Sequence, residues 1–218
     1  MTWSWSKLFL ISTFLLLAWI QSALAQEDET RFKAAALSGS VTVFHDERDE
    51  TVRMKVGDHS DDGDNISTGA KSEAWLRLPG KGYIYLGPRT KVHISRLRAG
   101  DKGLQVRLNL LTGELWCQLD KTPKYLFEIS AKNLIVRCHG TLVEAVRQKD
   151  AVRVTAFDGS IVTVAHAKVK LAKTGEVVQY IHDQFRYKHR LKASDDDRLA
   201  QWKAQFTALQ EKNLTKTH

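Results

Sequence analysis

Two cysteines carry the chain's most reactive side chains. Cys117 and Cys138 each fall in the apolar phase of an alternating segment. Two inward thiols on neighbouring strands or facing sheets could close a disulfide if their Cα atoms lie within about 7 Å, a link worth ~3 kcal/mol in the chain-entropy picture. The alternative is a pair of small buried hydrophobes. No C-x-x-C is present, so a redox-active pair is not expected. Asp58, Asp61, Asp62 and Asp64 crowd one loop beside His59. Oxygen ligands at that density could hold Ca²⁺, but their spacing is not that of an EF-hand, and Asp and Gly are ordinary turn residues. The eight histidines are scattered, without H-E-x-x-H. His139 beside Cys138 would need an exposed, base-paired thiol to act, and the apolar phase of Cys138 argues the reverse. Neither G-x-S-x-G nor a phosphate-cradling glycine loop occurs. The expectation is no enzyme: no catalytic residues, no metal ligands and no cofactor.

Two groups of residues suit binding instead. Tyr83 and Tyr85 share one face of a segment bounded by Gly80 and Gly87, with Lys91, His93 and Arg107 as candidate outward neighbours. Aromatic rings among cations suit a sugar or an acidic polymer, and they equally suit a core beside a turn. Near the C-terminus, Trp202 and Phe206 lie on one apolar stripe, preceded by Arg186, Lys188, Arg190 and Lys192 with Phe185 and Tyr187 interleaved. These are the candidate partner-binding residues.

The elements that must position these groups read in twos. Val41 and Val43, then Ala74, Leu76 and Leu78, then Leu104 through Leu110, then Leu115, Cys117 and Leu119, then Leu134, Val136 and Cys138, then Val152, Val154 and Ala156 each alternate with other residues. Turn sequences such as Asp62-Gly63-Asp64-Asn65, Thr112-Gly113 and Asp158-Gly159 bound the runs. Short strands at this spacing predict an all-β, antiparallel sandwich or roll. Helical spacing is absent from Gly39 to about Tyr180, which disfavours a βαβ sheet. Gly39-Ser40-Val41-Thr42-Val43 and Gly159-Ser160-Ile161-Val162-Thr163-Val164 resemble each other, as first and last strands in equivalent places would. The tail changes period. Ser194 followed by Asp195-Asp196-Asp197 makes a capping-box-like start, and Leu199, Trp202, Phe206 and Leu209 recur on one face. This predicts an amphipathic C-terminal helix over about 195–212, docked on the β domain or on a partner.

The N-terminus reads as an address. Leu8–Ile20 is an apolar run behind Lys7, followed by Ala23-Leu24-Ala25. That order predicts a signal peptide at 1–25, cleaved near Ala25, because a membrane span needs ~20 apolar residues. The expected divisions are then a connector at 26–36, a β domain at 37–180, and a basic connector with the helix at 181–218. No later run is long and apolar enough to span a bilayer, so the mature chain is expected to be soluble and exported, periplasmic or extracellular. Nucleic acid becomes a poor partner there, and disulfides become possible. The formal charge of +8 is uneven. Residues 26–70 carry 5 basic and 11 acidic side chains, and residues 71–218 carry 27 and 14. Such a basic majority suits an anionic envelope polymer or lipopolysaccharide, or solubility alone.

The punctuation of the middle region also resembles a known family. Gly39-Ser40-Val41-Thr42-Val43, Val56-Gly57-Asp58, Gly63 through Gly69, Ser72-Glu73-Ala74-Trp75-Leu76, Leu86 through Val92, Leu111 through Trp116 and Gly140-Thr141 follow the order of the FecR-like domain. The resemblance covers roughly residues 37–165. It implies an extracytoplasmic all-β domain that binds a protein partner or envelope polymer rather than performing chemistry. Its best-known members are transmembrane anti-sigma regulators, with a cytoplasmic segment and a membrane span ahead of the domain. Here the expected signal peptide stands in that place, and Cys138-His139 separates Arg137 from Gly140, where the family has Arg directly before Gly.

Overall fold

The computed structural model describes residues 30–78, 82–100, 103–120, 125–138 and 140–214, apart from the side chains of Tyr187, Lys188, Gln210 and residues 212–214. The expected signal peptide, residues 26–29 of the expected connector, and His139 lie outside the described residues.

In chain order the strands are β1 (Phe32–Ser38), β2 (Val41–His45), β3 (Glu50–Arg53), β4 (His59–Ser60), β5 (Asn65–Thr68), β6 (Glu73–Leu78), β7 (Gly82–Leu86), β8 (Lys91–Gly100), β9 (Gly103–Leu119) and β10 (Tyr125–Ala131). They continue as β11 (Leu134–Cys138), β12 (Leu142–Gln148), β13 (Ala151–Asp158), β14 (Ser160–Ala165), β15 (Lys168–Lys173), β16 (Glu176–Ile181) and β17 (Gln184–Arg190). One α-helix follows among the described residues, α1 (Ala193–Leu214). Among those residues no helix is long and apolar enough to cross a membrane.

The pairings make two layers. A front sheet runs β17-β16-β13-β12-β9-β7-β6-β1-β4. A back sheet runs β3-β2-β5-β8-β9-β10-β11-β14-β15. The all-β architecture with one C-terminal helix is thus the one the alternation predicts. β9 belongs to both layers. Its first part, up to Thr112, pairs with β8 and β10, and its last part, from Gly113, pairs with β7 and β12.

The change of sheet falls at Gly113, whose φ is +93°. A Cβ there would stand 2.3 Å from Thr90 Oγ1. Thr90 ties down the bend, its hydroxyl donating to Glu114 O (3.1 Å) and accepting from Glu114 N (2.9 Å). One pairing departs from the antiparallel expectation, since β10 runs parallel to β9, with Phe127 opposite Val106. Parallel neighbours need a crossover. The end of β9 supplies it by leaving the back sheet before the chain returns.

Alternation places the inner faces. Leu76, Ile84, Leu115, Cys117, Val143, Val154 and Tyr180 of the front sheet meet Val43, Ile94, Val106, Leu108, Phe127, Val136 and Cys138 of the back sheet in one buried core. Burial at roughly 25 cal/mol per Å² of apolar surface is the main force holding the layers together. The sheets extend past both ends of the span 37–180. β1 starts at Phe32, which is fully buried, and β17 is held by Phe185 packing edge-on to Tyr180 at 5.4 Å. The resembling segments β2 and β14 each lie one strand in from opposite edges of the back sheet.

Candidate functional site

The outer face of the front sheet carries a second, aromatic core. Registers align Trp75, Tyr85, Trp116, Glu144 and Thr155 as one row across β6, β7, β9, β12 and β13. Because strand side chains alternate, these are the partners of the inward Leu76, Ile84, Leu115, Val143 and Val154. Helix α1 lies over the row and buries Trp202, Phe206 and Leu209 against it. Trp202 stacks near-parallel on Trp116 (5.6 Å, 8°) and on Phe206 (5.1 Å, 11°), and Phe157 also stacks on Trp116 (4.9 Å, 5°). Tyr83 meets Phe206 edge-on at 5.3 Å.

An ionic cluster fixes one end of the helix. Glu144, with its side chain 0% exposed, pairs with Arg153 (3.0 Å) and with Arg198 of α1. Arg153 also holds Asp195 (2.7 Å), and Arg198 holds Glu114 (3.1 Å) while lying 5.9 Å from the Trp116 ring centre. Thr155 Oγ1 donates to Glu144 Oε2 (3.1 Å), and Trp116 Nε1 donates to Glu114 Oε1 (2.5 Å). Asp195 also accepts from Lys192 N (3.1 Å), capping the helix start.

Burial pushes the Glu144 carboxyl up to about 8, against the pull of Arg153 and Thr155 and with the push of Glu114 and Asp195. The balance of charge agrees. Three carboxylates meet two guanidiniums, so a proton on the most buried carboxyl neutralises the cluster. A cleft of about 370 Å³ opens beside these groups, lined by Glu114, Val146, Arg153, Gln179 and Arg198 among others. Another of about 430 Å³ is lined by Trp202, Leu142, Phe157 and Lys203 among others.

The candidates named from sequence are distributed as follows. Trp202 and Phe206 face the chain's own sheet. Arg186, Arg190 and Lys192 are exposed on and just after the edge strand β17, which also carries the backbone of Lys188. Tyr85 is buried and Tyr83 half-buried under α1. Lys91, His93 and Arg107 lie on the back sheet, where His93 and Arg107 alternate with buried Val92, Ile94, Val106 and Leu108. The two tyrosines and the three basic residues therefore occupy opposite outer faces and do not form one surface. The physical reason is that β7 and β8 belong to different layers.

Arg107 joins Arg137 in holding Glu128, at 2.6 and 2.8 Å. Burial raises the Glu128 carboxyl, but the two guanidiniums outweigh it and hold the group below its ordinary value. Cys117 and Cys138 point into the core from facing sheets, both fully buried, and they are not joined in the structure. Burial pushes Cys117 well up and Cys138 to about 12. In the acidic loop each carboxylate has a protein partner. Asp61 binds Arg31 and Asp62 binds Arg98, while Asp64 binds His45 and Asp58 accepts from Lys55 N.

The Glu144–Arg153–Arg198 cluster was not found from sequence. Its members are 54 positions apart at the extremes, from 144 to 198; the pairing of β12 with β13 sets Arg153 near Glu144, and the docking of α1 adds Arg198.

Residues 64–162 match the family described as FecR protein. FecR domains are generally non-catalytic and are associated with anti-sigma-factor signalling and the cell envelope. The matched FecR span runs from Asp64 into β14 and leaves out β15–β17 and α1. Two crystal structures of a candidate anti-sigma factor from Parabacteroides distasonis ATCC 8503 share the fold, with TM-scores of 0.51 and 0.52, 13% identity and 59% of this chain covered. The chain spans 60% of the length of each. No curated protein matches.

Proposed function

We propose that this chain is an exported, non-catalytic signalling domain of the cell envelope that works by binding a protein partner. The FecR match over 64–162 carries this reading, and the cation-bearing edge β17, continuous with the helix-covered face, supports it. Arg186, Arg190 and Lys192 are exposed there and offer charged hydrogen bonds to an acidic partner. Trp202 and Phe206 serve the contact indirectly, by holding α1 in place beside that edge. The deciding experiment is photo-cross-linking from position 186 or 190 in intact cells, followed by mass spectrometry. One recurrent envelope protein is expected, lost when Arg190 and Lys192 are changed to Glu. Recovery of the intact leader-bearing chain in the cytosol overturns the reading.

A second reading rests on one observation. Arg96 stands opposite Arg107 across β8 and β9, with Arg137 beyond Glu128, so three guanidiniums crowd the outer face of the back sheet. Like charges in adjacent positions favour an anionic polymer over them. Salt-sensitive retention on an anionic polysaccharide column, lost on Arg96→Glu, would support it. Unchanged retention at high salt would reject it.

A further inference from the structure

Two strands are exposed along nearly their whole length, and both are open edges of the back sheet. Among the described residues β3 pairs only with β2, and β15 only with β14. All of β3 is exposed, and in β15 only Ala172 is buried. The large apolar side chains that stand exposed collect at these two edges. Val52 and Val56 lie on and just beyond β3. At the other end Val169 and Leu171 lie on β15, with Ile135 in the same cross-strand row as Val164 and Val169.

The edges differ in charge. Asp46-Glu47-Arg48-Asp49-Glu50, all exposed, leads into β3 with four carboxylates against one guanidinium. Arg53, at the far end of β3, donates to the Gly39 carbonyl (3.4 Å). β15 carries Lys168, Lys170 and Lys173 and no acidic residue.

An open strand edge presents unpaired N–H and C=O groups, and single-sign charge on it blocks pairing with its like. Lysines face lysines if two β15 edges meet, whereas the segment 46–53 at the β3 edge sets four carboxylates against Arg48 and Arg53, with Arg48 paired to Glu50 at 3.4 Å. The unlike combination carries the strongest attraction. We propose that the β15 edge of one copy receives the β3 edge of a second copy, so that the back sheet continues head to tail between molecules.

The faces match for this. Lys168 and Lys170 share the side of β15 that carries buried Ala172, and Glu50 and Val52 share the side of β3 opposite buried His45 and Val43. In a continued sheet these lysines fall on one side with Glu50 and Val52, and Val169 and Leu171 fall on the other with Thr51 and Arg53. The local architecture at the two ends is also alike. β2 and β14 each lie next to their edge strand and each follows a glycine with φ near +75°, Gly39 at +74° and Gly159 at +76°. Such a contact uses different surfaces on the two copies, so it generates open chains rather than a closed dimer.

Sedimentation velocity on the purified chain tests this, across a concentration series at low and high salt. Species larger than a monomer are expected to grow with concentration at low salt and to dissolve at high salt. Two charge reversals sharpen the test. A Lys168→Glu/Lys170→Glu variant has two acidic edges, and a Glu47→Lys/Glu50→Lys variant has two basic ones. Each alone is expected to assemble at least about tenfold less readily. An equimolar mixture is expected to regain assembly, since unlike edges meet again. Circular dichroism confirms that each variant is folded, and the single variants Lys170→Glu and Glu50→Lys replace any that is not. A wild-type chain that stays monomeric at low salt overturns the proposal. So does assembly that persists in either folded variant, or a mixture that fails to regain it.

Discussion

The indole rings of Trp116 and Trp202 lie 5.6 Å apart and 8° from parallel, one fixed in the front sheet and the other carried by the C-terminal helix. This stack joins two parts of the chain that no sequence-local interaction connects. Most helical stability in a protein comes from tertiary packing of the apolar face, so the order of this helix depends on the aromatic face beneath it.

Removing the helix partner tests that dependence. Trp202 is 4% exposed and touches Trp75, Trp116 and Phe206. Trp202→Ala is expected to cost about 3–5 kcal/mol, as large-to-small changes in a packed site do. Urea denaturation gives the magnitude. Limited proteolysis should cut α1 in the variant before the sandwich, and equal protection of the helix in both proteins would contradict the docking.

Glu144 gives a pH signature. Its ordinary value is 4.5, and in the folded chain burial pushes it to about 8. The folded state therefore holds a proton that the unfolded state has released. This group's contribution is fully present below its ordinary value and is lost as pH rises through about 8. The wild-type Tm should fall over that window relative to Glu144→Gln, whose side chain does not titrate. A Tm difference that stays constant from about pH 5 to pH 9, the range over which the free carboxyl is ionised and the buried one is expected to titrate, would show that Glu144 is ionised throughout.

The two thiols should be silent in the native protein. Thiolate is the reactive form, and burial keeps both Cys117 and Cys138 from forming it. A thiol reagent is expected to label neither in the folded chain purified under reducing conditions, and both after denaturation. Labelling before unfolding would place a thiol at the surface. Intact mass of the exported protein, before reduction, tests whether the bond expected from sequence forms on export.

Gly113 should resist replacement. Its φ of +93° lies in the left-handed region, and a Cβ would meet Thr90 Oγ1 at 2.3 Å. Gly113→Ala is expected to destabilise by roughly 1–3 kcal/mol for the backbone, more with the clash. A denaturation midpoint unchanged from wild type would show that β9 changes sheet without strain.

Much of the fold was legible in local pattern. Period two in Leu115-Trp116-Cys117-Gln118-Leu119 correctly turned Leu115, Cys117 and Leu119 inward, because alternation is a property of the strand itself. The change to helical spacing at Leu199, Trp202, Phe206 and Leu209 marked α1, expected at 195–212 and observed at Ala193–Leu214. Local pattern also gave β17 its cations, although it read that stretch as a connector. It pairs as a strand because β16 offers an open edge and Phe185 reaches Tyr180.

What alternation could not say was which layer each strand joins. Tyr83 and Arg107 were therefore read as neighbours, while the structure puts them on opposite outer faces. Likewise Trp75 and Trp116 alternate with inward residues, yet both are buried, as is Glu144, because α1 closes over them. A residue's side of its own strand is set by backbone geometry within a few positions. Its neighbours across the sheet, and whether water or a helix covers it, depend on contacts between segments far apart in the chain, which only the folded structure decides.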